Sequence, residues 1–353
     1  MAGRSEYLDF SKGMLILLVV IGHSIQYVTY QQTGFWNDPL FKTIYMFHMP
    51  LFMAISGYVS TPGLVSAGAL ALVRGKASSY LTPVLAWGTL YLALLALHDG
   101  AVLTKTVLLR EFLGRLWFLW ALFGSVVLIA LARTCSRYWA GVVVLMFAAL
   151  LAVPDIAIVH LFKYTFPFFV LGHVTALAKL RAPSPARLAA LAALTGLASV
   201  ACFALWNEAT YIYVSKMALT VANLPNIALR YVAGVVVSIF ALCVFHGAWR
   251  LLPAPARHAM AAAGRDTLYI YVVSMYGFIL AEQLSKQYLS PPLDAAAAAL
   301  VSIASGCIIT AVCWLIGRRI AASPAAARLL FGKRTKRRSL ELEERTLPDE
   351  RVT

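Results

Sequence analysis

The sequence predicts an all-α integral membrane protein of about ten transmembrane helices, with both termini cytoplasmic. Hydrophobic residues fill 61% of its 353 positions, and the mean hydropathy is +0.77. Charged residues reach only 13%, against about a quarter in soluble domains. Apolar windows of span length recur along nearly the whole chain. A net charge of +15 would suit nucleic acid, but the cations sit in short loops and a tail and form no single amphipathic surface. They read as topology signals and contacts to membrane lipids, which excludes a nucleic-acid partner.

The first window, 13–31, follows a short basic stretch as a signal peptide's apolar region would, yet no small-x-small cleavage site comes after it. It is read as a retained first span. The further windows are 40–59, 80–98, 116–133, 138–154, 158–178, 187–206, 228–247, 267–285 and 297–317. The fifth is short, and its tight junction to the sixth at Val153-Pro-Asp-Ile leaves a re-entrant pair as an alternative. With the N-terminus inside, Arg74, Lys76, Arg133, Arg137, Lys179, Arg181, Arg187, Arg250, Arg257 and Arg265 fall on inner loops. Lys105, Arg110, Arg115, Lys216 and Lys286 fall outside, so the bias orients the bundle. An even number of spans returns the C-terminus to the inside. Residues 1–317 then form one transmembrane domain, and 318–353 a basic, then mixed-charge cytoplasmic tail predicted to be disordered. Cys135, Cys202, Cys243, Cys307 and Cys313 form no CxxC pair and read as small core residues, with no metal site or disulfide framework assigned.

Two residues of the first span carry the chemistry. Lys12 and His23 are eleven positions apart, which on a helix puts them within about 20° of one face and about 16 Å apart along the axis. A lone Lys at a helix entrance commonly serves as a snorkelling anchor. A histidine near the bilayer middle is costly to bury and is a functional candidate. The pair suits a long, anionic, two-ended ligand such as an acyl-coenzyme A. Lys12 would hold a phosphate while His23 takes the proton from an attacking hydroxyl. His48 reaches a similar depth on the second helix. It is either an acceptor-binding group, a partner that orients His23, or a residue packed on Pro50 and bonded to backbone. Gly57 permits close approach of a ligand or of a neighbouring helix.

Residues 7–24 (Tyr-Leu-Asp-Phe-Ser-Lys-Gly onward to His23-Ser24) and Phe47-His-Met-Pro-Leu-Phe-Met-Ala-Ile-Ser-Gly-Tyr58 resemble the opening of the membrane-bound acyltransferase type 3 family, in a branch similar to fucose 4-O-acetylases. Weaker similarity continues to about residue 317. Family members carry an Arg or Lys and a His with ten residues between them, a pattern matched by Lys12 and His23. The resemblance implies an O-acyltransferase of a bacterial inner membrane. It would move an acyl group, acetyl foremost, from cytoplasmic acetyl-coenzyme A to a sugar hydroxyl of a lipid-linked glycan or exported polysaccharide, with no tightly bound cofactor. His23 would be the base and Lys12 the main donor anchor. Relatives tend to carry R-x-x-R before the third span, where this chain has Arg74-Gly-Lys76. These two are assigned as auxiliary donor-binding cations, with a plain positive-inside loop as the competing reading.

Trp117 resembles a family position near the catalytic cavity, and the adjoining Arg115 would suit a sugar ring, although tryptophans here also serve as interfacial belts. Glu282 is a further acceptor-site candidate, and His173 reads as structural. Asp266 and Thr267 are expected as helix caps. Relatives often have a His shortly after the tyrosine at 271, where this chain has Val272, Val273 and Ser274, so no second catalytic histidine is assigned. The chain has no phosphate loop, no G-x-S-x-G elbow and no H-E-x-x-H, which excludes nucleotide hydrolysis, serine hydrolysis and zinc proteolysis. A transporter or flippase of a glycan or lipid intermediate is the competing class. It shares the helix count and the midmembrane polar groups. The lack of a two-fold repeat, and the concentration of motifs in the first two helices, weigh against it.

Overall fold

Side-chain caps start many of the helices in the computed structural model of the protein, which describes residues 5–99, 104–179, 184–289 and 292–333. Ser5 accepts from the Leu8 N–H at the head of α1 (Glu6–Ser24), which runs on through a π-helical turn, Ile25–Thr29. Asp38 does the same for the Phe41 N–H ahead of α2 (Pro39–Ser66), where Pro39 fills a first-turn position that needs no donor. Then come α3 (Ala69–Asp99), the short α4 (Lys105–Leu109) with a π-helical continuation Arg110–Arg115, and α5 (Trp117–Arg133). α6 (Trp139–Ala152), α7 (Val159–Ala178) and α8 (Pro185–Leu205) follow. The single turn α9 (Ile212–Ser215) precedes α10 (Leu224–Leu251), α11 (Ala254–Arg265) and α12 (Thr267–Tyr288). α13 (Ala295–Ala322) and α14 (Pro324–Phe331) complete the described chain.

Each of the ten sequence windows holds a helix. Among the described residues, seven helices are long and apolar enough to cross a membrane, and an eighth span arises if α4 with its continuation and α5, bent by 64°, count as one. The expected ten therefore narrows to seven or eight clear candidates. α2 is long but diluted by Lys42, His48, Ser56, Ser60 and Thr61, and α6 has only 14 residues. The sharp bend precedes α5, and α6 and α7 are separate helices on either side of Val153–Ile158.

Several expected loops are helical. α3 begins at Ala69, so Arg74 and Lys76 lie on a helix and not in a loop. Residues 254–265 form α11, and much of 318–331, expected in the tail, is helical. Arg318 and Arg319 belong to α13, and Ser323 caps α14, whose Phe331 is buried. Ser323-Pro324 is an N-cap followed by a first-turn proline, a helix start that charge counting overlooks. The expectation for 334–353 lies outside the described residues.

α1 is the axis of the bundle. It packs on α2, α11, α12 and α13, and 67% of its apolar window is buried, against 11% for α8 and 17% for α13. Those two helices consequently present most of their apolar surface outward, to lipid. The α2–α7 crossing is close because both helices offer glycine: a Cβ on Gly57 would lie 2.0 Å from the Phe169 carbonyl oxygen. Gly57 is thus a packing glycine. Nearby, Thr61 Oγ1 and His173 Nδ1 are 2.8 Å apart, which gives His173 a structural partner.

At the far end from Lys12, two cations tie the connecting segments. Lys163, 2% exposed, donates to the Val153 carbonyl and to Asp155 Oδ1 at 2.7 Å, while Asp155 Oδ2 accepts from the Met217 N–H. Arg230, 1% exposed, donates to the Thr210 and Lys216 carbonyls and to Ser215 Oγ. Burial alone would raise the Asp155 carboxyl; the Lys163 and Met217 donors outweigh it and hold the group below its ordinary value. A depressed folded-state value means stability that is present above the unfolded pKa, about 3.9 for Asp, and lost as pH falls through the folded one. Melting of the detergent-solubilised protein should therefore show a larger acid-side loss below about pH 4 in wild type than in Asp155→Asn. Parallel curves for the two proteins would exclude this role.

Candidate active site

α1 carries Lys12 and His23 into two separate chambers. The first, of about 190 Å³, is lined by Lys12, Ile16, Ser56, Ser79, Tyr80, Thr267 and apolar side chains of α2 and α5. The second, of about 660 Å³, is lined by His23, His48, Arg115, Trp117 and Glu282, together with Gln26, Tyr27, Gln32, Tyr45, Arg110, Tyr213 and Phe278. Val19, Met49, Phe118 and Tyr271 line both. The two chambers therefore share a wall between the Lys12 and His23 levels of the helix.

In the first chamber, Lys12 Nζ is 2.7 Å from Asp9 Oδ1 and the Lys12 side chain is 17% exposed. Of the two auxiliary cations, Lys76 is 3.5 Å from the hydroxyl of Tyr80, a lining residue, whereas Arg74 is exposed. Positions two apart on a helix do not share a face, so these two make no joint clamp. Thr267 lines the chamber floor. Asp266 stands at the head of α12 without a capping bond, contrary to expectation, because its carboxylate instead accepts from Trp314 Nε1 at 3.0 Å and lies 3.9 Å from Arg318.

The second chamber collects every acceptor-side candidate the sequence named. The His23 ring is flanked by Tyr27 at 5.9 Å and Phe278 at 5.7 Å. Its Nδ1 is buried without a hydrogen-bond partner. His48 is not bonded to it: His48 Nδ1 lies 2.8 Å from the Ile44 carbonyl, so the ring donates there and the neutral tautomer leaves Nε2 as the acceptor. That is the backbone-bonded reading of His48, in a ring that also lines the chamber. Arg115 is held by Glu111 at 2.6 Å and lies over the rings of Tyr91 and Tyr276. Glu282 accepts from Gln32 Nε2 at 2.7 Å and pairs with Lys286. Trp117 stands at the head of α5 and lines the chamber.

Aromatic faces plus amide, guanidinium and carboxylate groups suit a polyhydroxylated ring, whose C–H faces stack while its hydroxyls bond. Sequence reasoning missed Gln26, Tyr27, Gln32, Tyr45, Arg110 and Tyr213. Gln32 and Tyr213 come from connecting segments, and the rest lie at positions where only packing decides which face is inward. Gln26 and Tyr27, three and four positions from His23, were recoverable by helical spacing.

Comparison with known proteins decides the class. The family described as an acyltransferase domain matches residues 5–318. The chain belongs to the acyltransferase type 3 family. It is accordingly a membrane O-acyltransferase, and the expected enzyme class stands. Two curated relatives share the name nodulation protein NolL. The protein from Mesorhizobium japonicum (strain LMG 29417 / CECT 9101 / MAFF 303099) is 34% identical over 286 residues, 76% of this chain and 75% of the relative. The one from Sinorhizobium fredii (strain NBRC 101917 / NGR234) is 34% identical over 330 residues, 89% of each chain. No solved structure matches the acyltransferase.

Proposed function

We propose that the acyltransferase moves an acetyl group from cytoplasmic acetyl-coenzyme A to a hydroxyl of a glycan, either a lipid-linked precursor or an exported polysaccharide, in a bacterial inner membrane. The observation that carries this reading is the pair of chambers meeting at one wall, with Lys12 in one and His23 in the other. A coenzyme A thioester is long, polyanionic at one end and reactive at the other. Its phosphates would meet Lys12, with Lys76 and Arg74 at the rim, and its thioester would approach the His23 chamber from the Lys12 side. The sugar would occupy the larger chamber against Trp117, Arg115 and Glu282, with His48 Nε2 as an acceptor for one of its hydroxyls. His23 would take the proton of the attacking hydroxyl.

Orientation supports a cytoplasmic donor. Arg318 meets Asp266, Lys333 lies 4.6 Å over Tyr269, and Arg257 lies over Trp249, whose ring packs on Tyr7 and Phe10, so cations of α11, α13 and the chain after α14 gather at the Lys12 end of α1. A basic face of this kind is the inner one. It fits ten crossings with both termini inside, α2 and α6 being the two added to the clear spans.

The test is transfer of labelled acetyl from acetyl-coenzyme A into glycan extracted from a producing strain, using purified protein. Lys12→Ala should raise the donor KM by about ten- to a hundredfold, the loss of a charge-assisted contact worth about 1.5–3 kcal/mol, with kcat little changed. An unchanged donor KM would take Lys12 out of the donor site.

A further inference from the structure

The wall shared by the two chambers holds, beside a buried helix start, a buried hydroxyl that has no hydrogen-bond partner among the described residues. α5 begins inside the protein: Leu116, its N-cap, is fully buried and supplies no side-chain cap. The first N–H groups of any helix lack intrahelical acceptors. In α5 the Leu119 N–H turns back to the Leu116 carbonyl, while the Phe118 N–H faces the hydroxyl of Tyr271. That hydroxyl, on α12, is itself buried without a hydrogen bond of normal geometry, and Tyr271 is 9% exposed. The 64° break ahead of α5 is what brings a helix start to this depth.

A buried helix start with an unused hydroxyl beside it is a preorganised site for negative charge, since the aligned peptide dipoles place partial positive charge there and no solvent screens it. Phe118 and Tyr271 both line the Lys12 chamber and the His23 chamber. We propose that the Tyr271 hydroxyl and the Phe118 main-chain N–H form the oxyanion site that holds the donor's thioester carbonyl oxygen during acyl transfer. This rests on the acyl-coenzyme A reading above. The acceptor hydroxyl oxygen bonds to the thioester carbon as His23 takes its proton, and the carbonyl π pair moves onto the oxygen facing Tyr271 and Phe118. When that pair returns, the carbon–sulfur bond breaks and the leaving thiolate takes the proton from His23. An ester and a free thiol result, and His23 is again neutral. Tyr271 is thereby a catalytic residue that the sequence reading used only as a landmark for the missing histidine.

The experiment compares wild type, Tyr271→Phe and a protein with 3-fluorotyrosine at 271 in the acetyl-coenzyme A transfer assay, with melting curves of all three. Loss of an oxyanion donor costs about 10²- to 10³-fold in kcat. Tyr271→Phe should show that loss with an unchanged donor KM and an unchanged melting temperature, and the fluorotyrosine protein, which keeps the donor, should retain activity. A kcat for Tyr271→Phe near that of an active wild type would overturn the oxyanion site alone. An equal loss in the fluorotyrosine protein would overturn it too, by assigning Tyr271 a packing role. Wild type inert toward coenzyme A thioesters but active with an acyl donor of another class would remove the donor reading, and the thioester site with it.

Discussion

His23→Ala is expected to lower kcat for acyl transfer by at least a hundredfold while leaving the donor KM near its wild-type value. General-base assistance contributes about 10²- to 10⁴-fold, so removal of the imidazole has to show at that scale. The separation of effects follows from the two chambers. His23 lines only the larger one, and Lys12 only the smaller, so the phosphates of a coenzyme A donor keep their contact when the imidazole is gone. The assay is steady-state transfer of labelled acetyl over a range of donor concentrations. Turnover of His23→Ala within about fivefold of wild type would contradict a proton-transfer role.

Gly172→Ala is expected to be among the most damaging single methyl groups in the bundle. Its Cβ would sit 1.8 Å from the Ala54 carbonyl oxygen and 2.9 Å from the Ala54 Cα, both backbone atoms on α2 that cannot swing aside. α2 and α7 would have to separate along the seam that also holds the Thr61–His173 bond. Ordinary overpacking costs about 1–3 kcal/mol, and a contact this short against main chain should exceed about 3 kcal/mol, seen as a large fall in melting temperature and in folded yield. Gly141→Ala is the matched control: its added methyl meets nothing within 4 Å, and it should be neutral or stabilising by up to about 1 kcal/mol. Similar melting of the two variants would refute the seam argument.

The helix inventory was legible because bilayer-length apolar runs are a local property of sequence, and all ten windows hold helices. Their true lengths were not, since α2 and α3 continue well past the apolar runs, carrying Ser66 and Arg74 on helix where hydropathy alone reads loop. The break ahead of α5 was hidden for a related reason. Arg110, Glu111 and Arg115 look like a wet loop, yet Glu111 is 2% exposed, paired with Arg115 and bonded by the Tyr276 hydroxyl. Mutual neutralisation of charges is a tertiary fact that no local pattern announces. At the site, eleven-residue spacing on one helix was enough to single out Lys12 and His23 and to place them along one axis. It could not say that a wall stands between them, because that wall is assembled from four different helices.

The length of α6 sets a condition on the surrounding lipid. Fourteen residues rise about 21 Å, roughly 9 Å less than the hydrocarbon thickness of an ordinary bilayer. On the proposed ten-span reading, the membrane beside α6 must either thin or leave the helix short of one surface, each at a modest cost per ångström. α6 packs on α5, whose buried start forms part of the wall between the chambers. On that reading, acyl-chain length in the host membrane acts through α6 on the helix whose start helps to divide the two chambers.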